Sequence, residues 1–224
     1  MANQVADVFS SNGINVYLFS SIRPTPELSY ALLKLKCFCG IVLTASHNPP
    51  EYNGYKVYWK DGGQIVPPID KKLIDEINSV KFTDISFKRN NSLVNLIDTQ
   101  IDTDFIHDSI SIGKIGVSKR EDYRIVFTPI HGTSYKILPE VLNGAGFKNL
   151  HIVKEQAVPD GNFNTVKSPN PEEPEALSMA IDLAKAVNAD IVIGTDPDAD
   201  RDGLAVKNNK NEYSLLKLTS QSLP

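Results

Sequence analysis

The sequence predicts an α/β protein of two similar three-layer domains with mixed, mostly parallel sheets, the first domain incomplete at its start. Three observations carry this. Short apolar runs rich in β-branched residues alternate with helix-like segments; the runs lack the period-two pattern of a half-exposed sheet; and one pattern occurs twice in the 224 residues. Parallel strands need crossover connections, usually helices, and a sheet covered on both faces reads as near-continuous apolar strands. The repeated pattern is Gly13, strand, proline loop, a helix opening at Pro26-Glu27 and a strand Ile41–Thr44 leading to Ser46. Its echo is Gly146, strand, proline loop, Pro174-Glu175 helix and a strand Ile191–Thr195 leading to Asp196. The division expected is 1–103 and 104–224.

In order, Val5–Ser11 reads as the end of a helix stopped by Asn12-Gly13, and Ile14–Phe19 as a strand. Pro26 suits a first helical turn, and Leu28, Ala31, Leu32 and Leu35 fall at helical spacing, so Glu27–Lys36 is an amphipathic helix. Ile41–Thr44 reads as a fully buried strand, and Tyr55–Trp59 as another across an Asn53-Gly54 turn. Asp70–Val80 is a helix with Asp70 as its cap, and polar Phe82–Thr103 is the connection between domains. The second unit begins at Tyr123 with a strand Arg124–Thr128, a tight turn at His131-Gly132-Thr133, a helix Tyr135–Leu142 and a strand Asn149–Val153. Val158–Pro174 is loop, Glu175–Ala186 helix and Asp190–Gly194 a buried strand.

Composition sets bounds on function. With 41% hydrophobic and 22% charged residues the chain is an ordinary globular one, and a formal charge of −4 offers no basic field to nucleic acid or an anionic membrane. Cys37 and Cys39 are too close for a structural bridge and lack the second ligand pair of a zinc site, so they read as reduced core residues. Met1–Asn12 has neither a basic start nor a long apolar stretch, and the run Tyr30–Val42 is broken by Lys34 and Lys36. The expected location is the cytoplasm.

Both strand ends carry chemistry. In an extended segment alternate side chains point the same way, so Asp196, Asp198 and Asp200 can aim three carboxylates at one point, with Pro197 stiffening the segment. Hard oxygen donors suit magnesium; an EF-hand is excluded because its sixth position would be Arg201 and its twelfth Lys207. The bland alternative is a solvated acidic turn. Ser46 lies in Thr44-Ala45-Ser46-His47-Asn48-Pro49, without the glycines of a hydrolase elbow, and Lys56 follows on the next strand. A turn serine beside a structural histidine is the alternative there.

Thr44-Ala45-Ser46-His47-Asn48-Pro49-Pro50-Glu51-Tyr52-Asn53-Gly54-Tyr55-Lys56 resembles the phosphoserine loop of the α-D-phosphohexomutase family, in its phosphoglucomutase and phosphomannomutase group. Thr195-Asp196-Pro197-Asp198-Ala199-Asp200-Arg201 resembles its magnesium loop. Arg23–Leu28, Thr128–Thr133 and Pro169–Pro174 are also similar to family segments, so the resemblance spans nearly the whole chain in order. It implies a phosphorylated Ser46 whose phosphate joins Asp196, Asp198 and Asp200 around one Mg2+ per chain. It implies Lys56 as general acid/base, His47 as a second polar group at the transfer, and Arg201 as a phosphate clamp. His131 reads as structural. The implied reaction interconverts hexose 1-phosphate and hexose 6-phosphate through a bisphosphate, with glucose 1,6-bisphosphate as activator and glucose as the foremost sugar. Mannose or pentose specificity is the alternative.

The chain also departs from the family pattern. By comparison with that pattern, the start of the first domain, with a phosphate-contacting segment, and the third and fourth domains that select the sugar and grip its other phosphate, are expected to be missing, and Lys217–Pro224 stands where an asparagine-glycine-asparagine-glutamine stretch is expected. The expectation is a fragment whose missing C-terminal domains would complete the site. An unpaired sheet edge in its first domain is expected to favour poor solubility or a swapped dimer. A magnesium-dependent phosphatase and a catalytically silent module are the rival functions.

Overall fold

A computed structural model describes residues 1–113 and 118–216. Its contacts divide the chain into two units, one of 1–22, 27–44 and 54–102, the other of 23–26, 45–53 and the residues from 103 onward.

The first unit contains α1 (Ala2–Ser11), β1 (Val16–Phe19), most of α2 (Thr25–Lys34), β2 (Cys39–Leu43), β3 (Tyr55–Trp59), α3 (Ile69–Ser79) and β4 (Val94–Ile97). β1 and β4 pair in parallel, Val16 opposite Val94, whereas β2 and β3 form an antiparallel hairpin, Ile41 opposite Val57. They remain two separate two-stranded sheets. An apolar cavity of about 630 Å³, lined by Phe9, Leu18, Leu32 and Ile41 among others, lies against α1, β1, α2 and β2.

The expected fully buried strand at Ile41–Thr44 is therefore corrected. No residue of β1 to β4 is buried: β1 and β4 pair only with each other, and the β2–β3 hairpin gains nothing beyond one isolated bridge, Tyr58 to Gln64, among the described residues. The cysteines are corrected too: Cys39 is exposed and Cys37 half-buried, though partial burial still pushes both thiols upward in pKa. Asp70 is not a cap. Pro68 holds that position, and Asp70 sits inside the first turn of α3, its Oδ1 accepting from the Lys71 amide at 2.7 Å. The β2–β3 connection is a long loop closed by the Thr44 amide donating to the Gly54 carbonyl at 3.1 Å. A Cβ at Gly54 would stand 2.2 Å from the Thr44 carbonyl oxygen, so only glycine closes it.

Phe82–Thr103 is not merely a connection. β4 hides there because Val94-Asn95-Leu96-Ile97 is four residues between polar flanks, and α4 (Thr99–Ile112) follows at once. The segment before β4 is fastened to α1: Arg89 pairs with Asp7 at 3.1 Å, and the Asn90 amide donates to Ser10 Oγ at 3.2 Å.

The second unit is a five-stranded sheet in the order β6-β5-β7-β8-β9, built from β5 (Arg124–Thr128), β6 (Asn149–Ile152), β7 (Ile191–Thr195), β8 (Asp202–Lys207) and β9 (Tyr213–Leu216). β6, β5 and β7 are parallel; β8 and β9 continue antiparallel. The core is close-packed. Val126, Val192 and Ala205 are fully buried together with Ala180 and Ala184 of α6 (Ser178–Val187), whose small side chains let the helix lie near the sheet. α6 ends at Asn188 in the left-handed conformation, which asparagine tolerates. α5 (Ile137–Gly144) starts later than expected because Thr133–Tyr135 is a 3-10 turn. The expected departure at Lys217–Pro224 lies outside the described residues.

The strands of the two units should differ in protection. In native-state hydrogen exchange, the amides of Val126 and Val192 are expected among the slowest and those of Tyr17 and Leu18 to exchange markedly faster; equal protection would contradict the burial contrast.

Candidate functional site

The aspartate cluster forms where β7 turns into β8. Thr195 pairs with Asp202, the Ala199 amide donates to the Asp196 carbonyl at 3.0 Å, and Ala199 takes a left-handed φ of 56°. Asp196 folds this turn around itself, its Oδ1 accepting from the backbone amides of Asp200 and Arg201, each at 3.1 Å. The three carboxylates thus converge through a turn rather than through the alternation of an extended segment, which corrects the expected geometry. Oxygens of Asp196, Asp198 and Asp200 lie within 4.8 Å of one another, with Asp196 and Asp198 buried and Asp200 exposed.

Such crowding has an electrostatic cost. Burial, and next the charge of Asp198, push the Asp196 carboxyl up to about 7, against an ordinary 3.8. A divalent cation would remove the repulsion and the desolvation penalty together, and an all-oxygen donor set suits a hard ion such as Mg2+.

Ser46 reaches this cluster. The residue has a left-handed φ of 54°, a conformation uncommon outside glycine and asparagine, in a turn closed by the Asn48 amide donating to the Ala45 carbonyl at 3.0 Å. Its hydroxyl donates to Asp196 Oδ2 at 2.9 Å and stands 3.3 Å from His47 Nδ1. Arg201 Nη1 donates to His47 Nε2 at 3.4 Å, so the donor pattern that satisfies all three groups has His47 Nδ1–H facing the serine oxygen. Five of the residues singled out from sequence, Ser46, His47, Asp196, Asp198 and Arg201, are linked here, with Asp200 at the rim. Lys56 belongs to the first unit, the second residue of β3, opposite Val42.

Sequence reasoning gave no site role to two groups, although Arg23–Leu28 and Thr128–Thr133 resemble family segments. The Thr25 amide donates to the Asp198 carbonyl at 2.8 Å and its hydroxyl to Asp198 Oδ2 at 3.2 Å. Nothing local marks Thr25, since its partner is 173 residues away. The other is the turn after β5. The Thr133 amide donates to the Pro197 carbonyl at 2.8 Å, and Ser134 and Thr195 share a 2.6 Å hydroxyl pair. A Cβ at Gly132 would lie 2.6 Å from Pro197 Cα, so the chain needs glycine where the turn touches the aspartate loop.

A two-domain α/β chain with a serine turned onto three clustered carboxylates belongs to the phosphoglucomutase/phosphomannomutase family, whose models for α/β/α domain I and α/β/α domain II match residues 1–84 and 103–210. It is 39% identical over 208 residues to the phosphoglucomutase of Staphylococcus aureus strain USA300, and equally to that of strain N315. The match covers 91% of this chain and 37% of either relative. The chain therefore spans little more than a third of the length of these curated relatives. Its fold resembles a putative phosphomannomutase from Thermus thermophilus (TM-score 0.69, 24% identity, 88% of this chain and 43% of that one). It also resembles a phosphoglucomutase/phosphomannomutase family protein from Burkholderia thailandensis (TM-score 0.70, 23% identity, 92% and 42%). No described helix is long and apolar enough to cross a membrane.

Two outcomes are expected from this geometry. A carboxyl raised from 3.8 to about 7 holds its proton more tightly folded than unfolded, so in metal-free protein it weakens the fold as pH rises between those values. The thermal midpoint of the chelator-treated wild type should fall, relative to Asp196→Asn, on going from about pH 4 to about pH 7, and added Mg2+ should restore it. A pH-independent difference would count against the raised carboxyl. Gly132→Ala should cost about 1–3 kcal/mol in urea unfolding, because the contact it meets is backbone.

Proposed function

We propose that this chain forms the phosphoryl-transfer half of a phosphosugar mutase, with Ser46 as the residue that carries the phosphate. The observation that supports this most is the 2.9 Å contact between Ser46 Oγ and Asp196 within a cluster of three carboxylates. Anionic side chains are a poor environment for a phosphoserine unless a cation separates the two, and the donor set fits one Mg2+ held by Asp196, Asp198, Asp200 and the phosphorylated serine. Bound there, magnesium supplies positive charge that offsets the charge on the phosphoryl oxygens.

The protein groups divide the remaining work. Ser46 is held toward the cluster by its left-handed backbone, a conformation that surrounding structure has to enforce. His47, bridged to Arg201, fixes the polar surroundings of the serine oxygen, and Arg201 offers a guanidinium to phosphate. Lys56 is the general acid/base for the attacking sugar hydroxyl. The phosphate passes to the free hydroxyl of a hexose monophosphate, giving a bisphosphate that returns its other phosphate to Ser46. The net change is isomerisation of hexose 1-phosphate and hexose 6-phosphate, glucose being the foremost sugar and glucose 1,6-bisphosphate the activator.

In this reading 1–103 and 104–224 are the first two family domains, working in the cytoplasm. The remaining family domains select the sugar and grip its second phosphate, so these residues alone carry phosphate without turning over substrate.

Intact-mass measurement with phosphosite mapping, before and after incubation with Mg2+ and glucose 1,6-bisphosphate, tests the reading. A single added phosphate on Ser46, absent from Ser46→Ala, is the expected result. Phosphate on another residue, or none under any condition, would sink it, and steady release of inorganic phosphate would favour a phosphatase instead.

A further inference from the structure

We propose that His131, Thr165 and Gln156 are positioning residues that hold the aspartate turn in its cation-binding shape, an inference that rests on reading that turn as a metal site. The turn after β5 is the starting point. Ile130 and His131 are consecutive non-glycine residues with left-handed φ values of 43° and 60°. For a β-branched residue such as Ile130 this is an outlier, and such conformations persist only where neighbouring contacts over-determine them.

Those contacts form a directed ring. The Val158 carbonyl can only accept, so His131 Nδ1–H donates to it, at 3.0 Å. Nε2 is then left to accept from the Thr165 hydroxyl at 2.9 Å. Thr165 Oγ1 in turn accepts from the Gln156 amide nitrogen at 3.0 Å, and Gln156 Oε1 accepts from the Thr128 hydroxyl at 2.6 Å. Thr128 Oγ1 closes the ring by accepting from the Ile130 amide at 3.1 Å, while the His131 amide donates to the Gln156 carbonyl at 2.9 Å. Gln156 and Thr128 are wholly buried and His131 is 7% exposed, so each unsatisfied group here would carry its full desolvation penalty.

The far side of the same turn meets the site. Gly132 has no room for a Cβ against Pro197, and the Thr133 amide donates to the Pro197 carbonyl at 2.8 Å. Pro197 stands between Asp196 and Asp198, so a displacement of the strained turn is transmitted to the backbone that spaces two of the three carboxylates. None of the ring's side chains touches those carboxylates; they act through Pro197, as outer groups around a metal commonly act through its ligands.

The deciding measurement is Mg2+ affinity by calorimetric titration of the whole chain, with melting temperature recorded for each variant. Thr165→Val keeps the shape of the side chain and removes the hydroxyl, and is expected to weaken Mg2+ binding by about 10-fold, as outer-shell substitutions do. Thr165→Ser should restore binding. His131→Asn, which tolerates a left-handed backbone and keeps an N–H for Val158, should fall between wild type and His131→Ala. If His131→Ala fails to fold, the Thr165 pair decides. Lower melting temperatures with unchanged Mg2+ affinity would reduce the ring to a structural role and overturn the proposal. A wild type that binds no Mg2+ would overturn the metal-site reading itself and the positioning role of the ring with it.

Discussion

The buried carboxylate of Asp196 is the contact on which the rest of the site depends. One oxygen gathers two backbone amides and so shapes the β7–β8 turn; the other receives the Ser46 hydroxyl. A neutral side chain could do part of the first task, but only an anion both draws three donors and attracts a cation. The penalty appears in its raised proton affinity, and the fully packed sheet behind it, with Val126 and Val192 excluded from water, supplies the rigidity that keeps the strained geometry from relaxing.

Much of this was legible in the sequence, for identifiable reasons. Buried parallel strands such as β5 and β7 announce themselves as apolar runs, and Asp196, Asp198 and Asp200 stand out because three carboxylates at such spacing are costly without a purpose. What failed to show was of two kinds. β4 is short and flanked by polar residues, so its pairing with β1 is a tertiary fact that no local window contains. Thr25 falls in a family-like segment, but its role is not visible there, since it lies in the contact with Asp198. The reasoning about the aspartates also had the wrong geometry: alternation along a strand was expected, and a turn wound on one carboxylate brings them together.

The two units make a useful physical contrast. They share the alternation of strand and helix, yet the second buries most residues of its central strands β5 and β7 and the first buries none of its strand residues. Apolar character alone therefore did not decide burial. Ile41 and Val192 are comparable side chains in comparable strands, and the difference between them is whether the sheet on either side is filled.

The bond between Thr25 and Asp198 has a kinetic meaning. It joins positions near opposite ends of the described chain, and Ser46 joins the same cluster across 150 residues, so the loops that must close before Thr25 and Ser46 reach the carboxylates are among the longest this polypeptide can form. Closure of that kind is opposed by chain entropy and comes late in folding. The carboxylates can gather on their own turn early, but the serine hydroxyl can join them only after those long loops have closed.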